Sequence, residues 1–224
     1  MKLLALETST EACSAALLLD DHVIERYQWA PRGHANLILP MLDAVLAEAG
    51  LSLGQLDALA VGRGPGAFTG VRIAIAVAQG IAFATGLPVA PISTLAAIAW
   101  ETGRRQGVDR IAVALDARLE EVYWGTYRAA ADGGVLLLGE ERVCSPEQAS
   151  LPEVGEWVGA GNGWALYADC LSRPALKTWW SDYGPTAEAV ARLGALAYRQ
   201  GRLVGAEQVL PVYLRDEVVK QRSC

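Results

Sequence analysis

A carboxylate and three hydroxyls in a row, Glu7-Thr8-Ser9-Thr10, stand between two apolar runs near the start of the chain. In a strand-to-strand turn these groups and the backbone N–H groups around them can meet a phosphate or a magnesium-bound water. The same residues can equally form a turn that bonds its own backbone. A second acidic turn, Asp116-Ala117-Arg118-Leu119-Glu120, stands at the matching point of the second half, with bulky side chains where close approach to a phosphate favours glycine. The third candidate is Gly62-Arg63-Gly64-Pro65-Gly66-Ala67-Phe68-Thr69-Gly70. Its glycines permit positive φ and close backbone approach, Pro65 stiffens the turn, and Thr69 is placed to cap a following helix. A loop feeding a helix N-terminus can bind an anion. This one lacks the Lys-Ser/Thr ending of a P-loop, and a tight structural turn explains its glycines equally well.

Other chemistries lack their residues. The two histidines, His22 and His34, fall in separate elements, so no metal-binding His pair and no Ser-His-Asp set can be assembled from local spacing. Cysteines at 13, 144, 170 and 224 form no C-x-x-C pair, which argues against structural zinc and disulfides. No metal and no cofactor is expected. With 19 basic and 25 acidic residues the formal charge is -6, and no basic run exceeds Arg104-Arg105, so a freestanding RNA binder is not indicated. Seven tryptophans, Trp179-Trp180 among them, can stack bases but more commonly fill cores and interfaces. Glu7 interrupts the first apolar run before a signal-peptide core is complete, and no 18-residue apolar span is free of charge, so a cytoplasmic, non-membrane chain is expected.

The elements that must position these residues follow from periodicity. Leu3 to Leu6, Cys13 to Leu19 and Val23 to Trp29 read as a three-stranded meander. Ala35 to Ala49 carries a helical apolar stripe that Gly50 ends. A strand (Ala58 to Val61), the glycine loop, a helix (Gly70 to Thr85), a strand (Val89 to Ile92) and a helix from Thr94 complete the order βββαβαβα. From Arg110 the pattern restarts, with strands at Ile111 to Leu115, Glu121 to Ala129 and Val135 to Leu138.

Two local matches support duplication, each spaced by about half the chain. Ala5-Leu6-Glu7 parallels Ala114-Leu115-Asp116, and Val61-Gly62-x-Gly64-x-Gly66 parallels Val158-Gly159-x-Gly161-x-Gly163. The expected fold class is therefore α/β, two duplicated ribonuclease-H-like (actin-like) lobes, each a mixed sheet flanked by helices. Residues 1–105 form the first lobe, 106–210 a smaller, degenerate second lobe, and 211–224 a tail anchored at Pro211-Val212-Tyr213-Leu214-Arg215. The polar stretch within Thr102 to Asp109 marks the boundary.

The helix of residues 70–85 is apolar nearly all round. Ile73, Val77, Ile81 and Ala84 make one face of it. Gly70, Ala74, Ala78 and Ala82 make a smooth face that permits close contact. Either the second lobe or a partner chain covers what the first sheet leaves open. The smooth face is taken as the partner surface, together with Leu37, Met41 and Val45 of the preceding helix.

Leu4-Ala5-Leu6-Glu7-Thr8-Ser9-Thr10, the glycine loop continued through Val71-Arg72, and Pro211-Val212-Tyr213-Leu214-Arg215 together resemble the TsaB (YeaZ) family, end to end. This family belongs to the actin-like, glycoprotease-related superfamily that includes TsaD. The resemblance implies a non-catalytic subunit needed for threonylcarbamoyl transfer to the adenosine beside the tRNA anticodon. It implies a heterodimer with a catalytic, metal-holding TsaD-like paralogue through helices of the first lobe, and a share in the site of a TsaE-like ATPase. A homodimer is implied when the chain is alone, and contact with tRNA only through the complex. Ile92 to Trp100, where the metal-binding paralogue has a His pair, contains no histidine. The alternative class is a kinase-like or glycoprotease-like nucleotide-dependent hydrolase, for which Glu7 to Thr10 is a degenerate phosphate loop.

Overall fold

In a computed structural model, residues 1–152, 155–172 and 175–215 are described. Residues 216–224 of the expected tail lie outside them. The first meander forms as β1 (Lys2–Glu7), β2 (Ala12–Leu19) and β3 (His22–Trp29). Helix α1 (His34–Ala49) follows, then β4 (Ala58–Gly62), α2 (Phe68–Thr85), β5 (Val89–Ile92) and α3 (Thr94–Gln106). Gly50 ends α1 with φ 64° and Gly86 ends α2 with φ 74°, the left-handed positions that glycine occupies without a Cβ penalty. The sheet order is β3-β2-β1-β4-β5, antiparallel through the meander and parallel from β1 to β5.

The second half lays down β6 (Arg110–Arg118), β7 (Glu121–Ala129), β8 (Val135–Leu137), β9 (Arg142–Cys144), β10 (Trp157–Ala160) and β11 (Leu176–Trp180). Two single-turn helices, α4 (Gly163–Leu166) and α5 (Ala168–Leu171), lie between β10 and β11, and α6 (Ala187–Arg199) follows. The path is β11-β10-β6-β7-β8, with β9 paired to β7. Read from its other end this is the first sheet's order, so the duplication expected from two short matches is a duplication of topology. The second copy has no counterpart of α1, and α4 and α5 stand where α2 stands in the first. Strand β6 continues three residues beyond the expected Leu115, which tightens the following turn to Arg118–Glu120.

Strand β1 is buried on both faces, which is why it reads as a near-continuous apolar run. Leu4 and Leu6 face α1 and α2, with Cys13, Ala15 and Leu17 of β2 beside them. Leu3 and Ala5 face the other way, with Ala16, Ala58, Ala60 and Ala90, onto α6. These alanines make a shallow surface, and Gly194 of α6 sits on it so closely that an added Cβ would lie 2.5 Å from the Ala60 Cβ. Helix α6, which sequence position puts in the second lobe, thus packs on the first sheet. Helix α3, numbered with the first lobe, packs Leu95, Ile98 and Ala99 against Ile111, Val113, Leu115 and Tyr127 of the second. The stretch near residue 105 marks where the strands change sheet, while each lobe's last helix lies against the other sheet.

Candidate functional site

The Glu7–Thr10 turn sits at the end of β1, and the glycine loop presses directly against it. A Cβ at Gly62 would fall 1.8 Å from Glu7 Oε2, one at Gly66 2.3 Å from the Ser9 carbonyl oxygen, and one at Gly70 2.0 Å from the Thr8 carbonyl oxygen. Only residues without a side chain fit there, so these glycines serve contact between two segments of the same lobe. Glu7, Thr8 and Ser9 are buried. The Thr8 hydroxyl donates to the Gly70 carbonyl at 2.7 Å. Ser9 Oγ accepts from Thr94 Oγ1 at 2.9 Å, and the Ser9 carbonyl accepts from Ala67 N–H at 2.7 Å. Glu7 Oε1 accepts from the Ser9 N–H.

The Thr8 hydroxyl and the Ser9 amide, carbonyl and hydroxyl are thus engaged inside the lobe, mostly by the glycine loop and α3 and only once, at Ser9 N–H to Glu7, within the turn itself. Glu7 Oε2 is buried without a hydrogen-bond partner. Burial raises the Glu7 carboxyl above its usual range, against the lowering effect of its hydrogen bonds from Ser9 and Thr8. Thr10, the last residue of the turn, is half-buried.

Two details of the glycine loop differ from expectation. Helix α2 begins at Phe68 with Ala67 at its N-cap, without a side-chain cap bond, so Thr69 is an exposed residue of the first turn and not the cap. Arg63 is held by its backbone, N–H to the Ile92 carbonyl and carbonyl from the Val212 N–H, each at 2.8 to 2.9 Å. Gly64, at φ 93°, passes its carbonyl to the Thr94 N–H at 3.0 Å. The second lobe repeats the device. Gly161, at φ 98°, and Gly163 would place a Cβ 2.5 and 2.9 Å from the Ala114 carbonyl oxygen. Asp116 of the second turn is tied by its N–H to Asn162 Oδ1 and by its carboxylate to the Arg118 N–H, both at 2.9 Å.

The partner face needs a correction. Gly70, Ala74, Ala78 and Ala82 are buried inside the chain, Ala74 and Ala78 completely, where they let α2 lie close on β1 and β4. Met41 and Val45 are likewise core, and of the residues taken for the interface only Leu37 reaches the surface, half-buried. A side chain with no exposed surface cannot touch another molecule. The small side chains serve the tightest contact, and the tightest contact is with the sheet. What faces outward is Ala76, Gly80, Phe83 and Ala84 of α2, with Ile73 and Val77 at the margin, beside Leu39 and Pro40 of α1. Phe83 is 83% exposed and Leu39 52%. The residue that could have signalled this is Phe83, an aromatic opposite the small-residue row.

By length and hydropathy alone α2 could cross a membrane, with a window mean of 1.5, but its inner row is committed to the first sheet. Among the described residues no three His, Cys, Asp or Glu side chains cluster as a metal site would need.

Two lobes of one strand order, each closed by a helix from the other half, define the actin-like class. The family model for TsaD, tRNA N6-adenosine threonylcarbamoyltransferase, matches residues 26–177. The chain is similar to the tRNA threonylcarbamoyladenosine biosynthesis protein TsaB of Escherichia coli, 39% identical over 97% of this chain and 96% of that protein. It is 40% identical to TsaB of Haemophilus influenzae over 97% and 95% of the two chains. The solved structure of YeaZ from Pseudomonas aeruginosa superposes with a TM-score of 0.91 at 48% identity, covering 95% of this chain and 99% of that one. The chain belongs to the TsaB (YeaZ) family.

Proposed function

We propose that this chain is a non-catalytic subunit of the machinery that transfers threonylcarbamoyl to the adenosine beside the tRNA anticodon, acting in the cytoplasm. Its partner is a TsaD-like paralogue, bound as a heterodimer through the outer surface of α1 and α2. A TsaE-like ATPase joins at a site the pair helps to form, and tRNA is met only through the assembly. The process is that of the TsaB relatives, tRNA threonylcarbamoyladenosine biosynthesis. The observation that carries the subunit role is the pairing of a closed turn with an open helix face. Glu7, Thr8 and Ser9 are buried beneath the glycine loop, while Leu39, Pro40 and Phe83 stand exposed on one helical layer. A catalytic reading needs the first of these open, and a freestanding monomer has no use for the second.

The test is size-exclusion chromatography with light scattering of the chain, its TsaD-like paralogue from the same organism, and the mixture. A heterodimer is expected with wild type. Phe83→Asp, at an exposed site, should weaken it by about 30-fold or more if Phe83 is an interface hot spot worth about 2 kcal/mol. Phe83→Asp alone should melt as wild type does. Absence of a wild-type complex, or ATP turnover by the chain alone, returns the hydrolase class to the front.

A further inference from the structure

The chain after the buried Val209 runs from one lobe to the other. Gln79 of α2 donates to the Val209 carbonyl at 2.9 Å, and the Val212 N–H donates to the Arg63 carbonyl at 2.9 Å. The Val212 carbonyl lies close enough to Gly64 that a Cβ there would be 3.1 Å away. The Tyr213 ring lies 5.8 Å from that of Phe68, and the Arg72 guanidinium covers both rings, 3.2 Å from the Phe68 centroid and 5.1 Å from that of Tyr213. All of this is first-lobe contact. Two residues later the chain engages the second lobe. The Arg215 guanidinium donates to the Ala117 carbonyl at 3.0 Å and pairs with the Glu121 carboxylate, with only 17% of its side chain exposed.

The turn that Arg215 meets is held in an unfavourable shape. Arg118, Leu119 and Glu120 have φ of 63°, 54° and 60°, three consecutive residues with a Cβ in the left-handed region. A turn of that kind persists only when its surroundings determine it. Its inner brace is Asp116, and its outer brace is Arg215, which reaches both ends of the turn, the carbonyl before it and the carboxylate after it. A guanidinium suits this work because its charge is permanent and its N–H groups are fixed in direction.

We infer that Pro211–Arg215 is an interlobe strap in which Arg215 is the positioning residue, fixing the Arg118–Glu120 turn of the second lobe to the glycine loop and first turn of α2 in the first. In this chain covalent chain, carbonyl hydrogen bonds and one ion pair tie that turn to the glycine loop, in addition to the packing of α3 and α6 across the lobes. The inference concerns the isolated subunit and stands apart from the proposed function. It also gives α2, whose outer row is uncovered, a direct mechanical link to the second lobe.

Hydrogen exchange read by mass spectrometry on the full chain tests it. The reporters are the Arg118 amide, bonded to the Asp116 carboxylate within the turn, and the Asp116 amide, which holds the turn's start to Asn162. Arg215→Ala should speed exchange of the peptide covering 116–122 by tenfold or more and leave peptides from β1, β4 and α6 as they were. Tyr213→Ala removes a ring that packs on Phe68 and Arg72 of the first lobe, so a strap acting as a unit predicts a smaller acceleration there too, about threefold. Wild-type exchange of 116–122 in Arg215→Ala overturns the inference, as does a turn that Tyr213→Ala leaves untouched. If Arg215→Ala fails to fold, the Tyr213→Ala result decides alone.

Discussion

Gly70 and Gly80 lie in the same helix, and the same substitution should move stability in opposite directions at the two positions. An alanine Cβ at Gly70 would stand 2.0 Å from the Thr8 carbonyl oxygen and 3.1 Å from its carbon. Both are backbone atoms, so the strain cannot be relieved by turning a side chain. Either α2 lifts off the end of β1, loosening Ala74 and Ala78 from the sheet, or the Glu7–Ser9 turn shifts and gives up its bonds to Gly70, Ala67 and Thr94. Overpacking of this kind costs about 1–3 kcal/mol and sometimes more. The helix-propensity gain of about 1 kcal/mol offsets part of it, leaving a net loss of about 0–2 kcal/mol. At Gly80 nothing lies within 4 Å of the new Cβ, so only the propensity gain remains. Thermal unfolding followed by circular dichroism reads both, at roughly 2–4 °C per kcal/mol for a chain of this size. Gly70→Ala should lower Tm by up to about 8 °C, and Gly80→Ala should raise it by about 1–4 °C. Equal shifts of one sign, or a rise for Gly70→Ala, would refute the reading that the glycine loop closes the Glu7–Ser9 turn by contact.

Ala78→Arg and Ala76→Arg should separate in the same way, because Ala78 is fully buried and Ala76 exposed. The first buries an unpaired guanidinium and should leave no cooperative melt, while the second should keep wild-type stability within about 0.5 kcal/mol. Glu25 of β3 accepts the Glu188 N–H at the start of α6 at 2.8 Å, and burial, with Glu188 and Glu101 nearby, pushes its carboxyl up to about 7 from 4.5, against the opposing pull of that hydrogen bond and Arg105. The folded chain thus holds this proton more tightly than the unfolded chain, so the group's contribution to stability is greatest below about pH 4.5 and declines as pH rises towards 7. Glu25→Gln keeps the acceptor and removes the titration. Its Tm relative to wild type should climb between pH 5 and pH 8 by an amount equivalent to about 1–3 kcal/mol, allowing for partial exposure, and a constant offset across that range would contradict the assignment.

Much was written in the chain itself. The apolar runs of β1 and β2, the stripe of α1, and the glycines at 50 and 62–66 are local signals, each acting within a few residues, and they marked the first-lobe elements to within two residues of their ends. The duplication was legible because both lobes need glycine where a loop crosses the end of the first strand, and that need left Gly62 to Gly66 and Gly159 to Gly163 in step. Residue types at Glu7 to Thr10 showed what chemistry the turn could offer. Whether it offers it depends on what fills the space above it, and that is supplied by residues some sixty positions away.

The face of α2 that meets the sheet was undecidable from periodicity, because a helix apolar all round has no moment strong enough to set its rotation. Packing set it: the row of Gly70, Ala74, Ala78 and Ala82 admits the close approach to β1 and β4, and Phe83 is thereby turned outward. The exchange of α3 and α6 between the sheets was likewise hidden, since an amphipathic helix records only that it has an apolar face and not which sheet will cover it. Arg215 and Glu121, 94 residues apart in sequence, become partners only through the lobe arrangement. The chain by itself determined its elements, its repeat and its family, because those rest on local sterics and patterning. Accessibility, helix rotation and the strap between the lobes are properties of contacts between distant segments, and only the tertiary structure decided them.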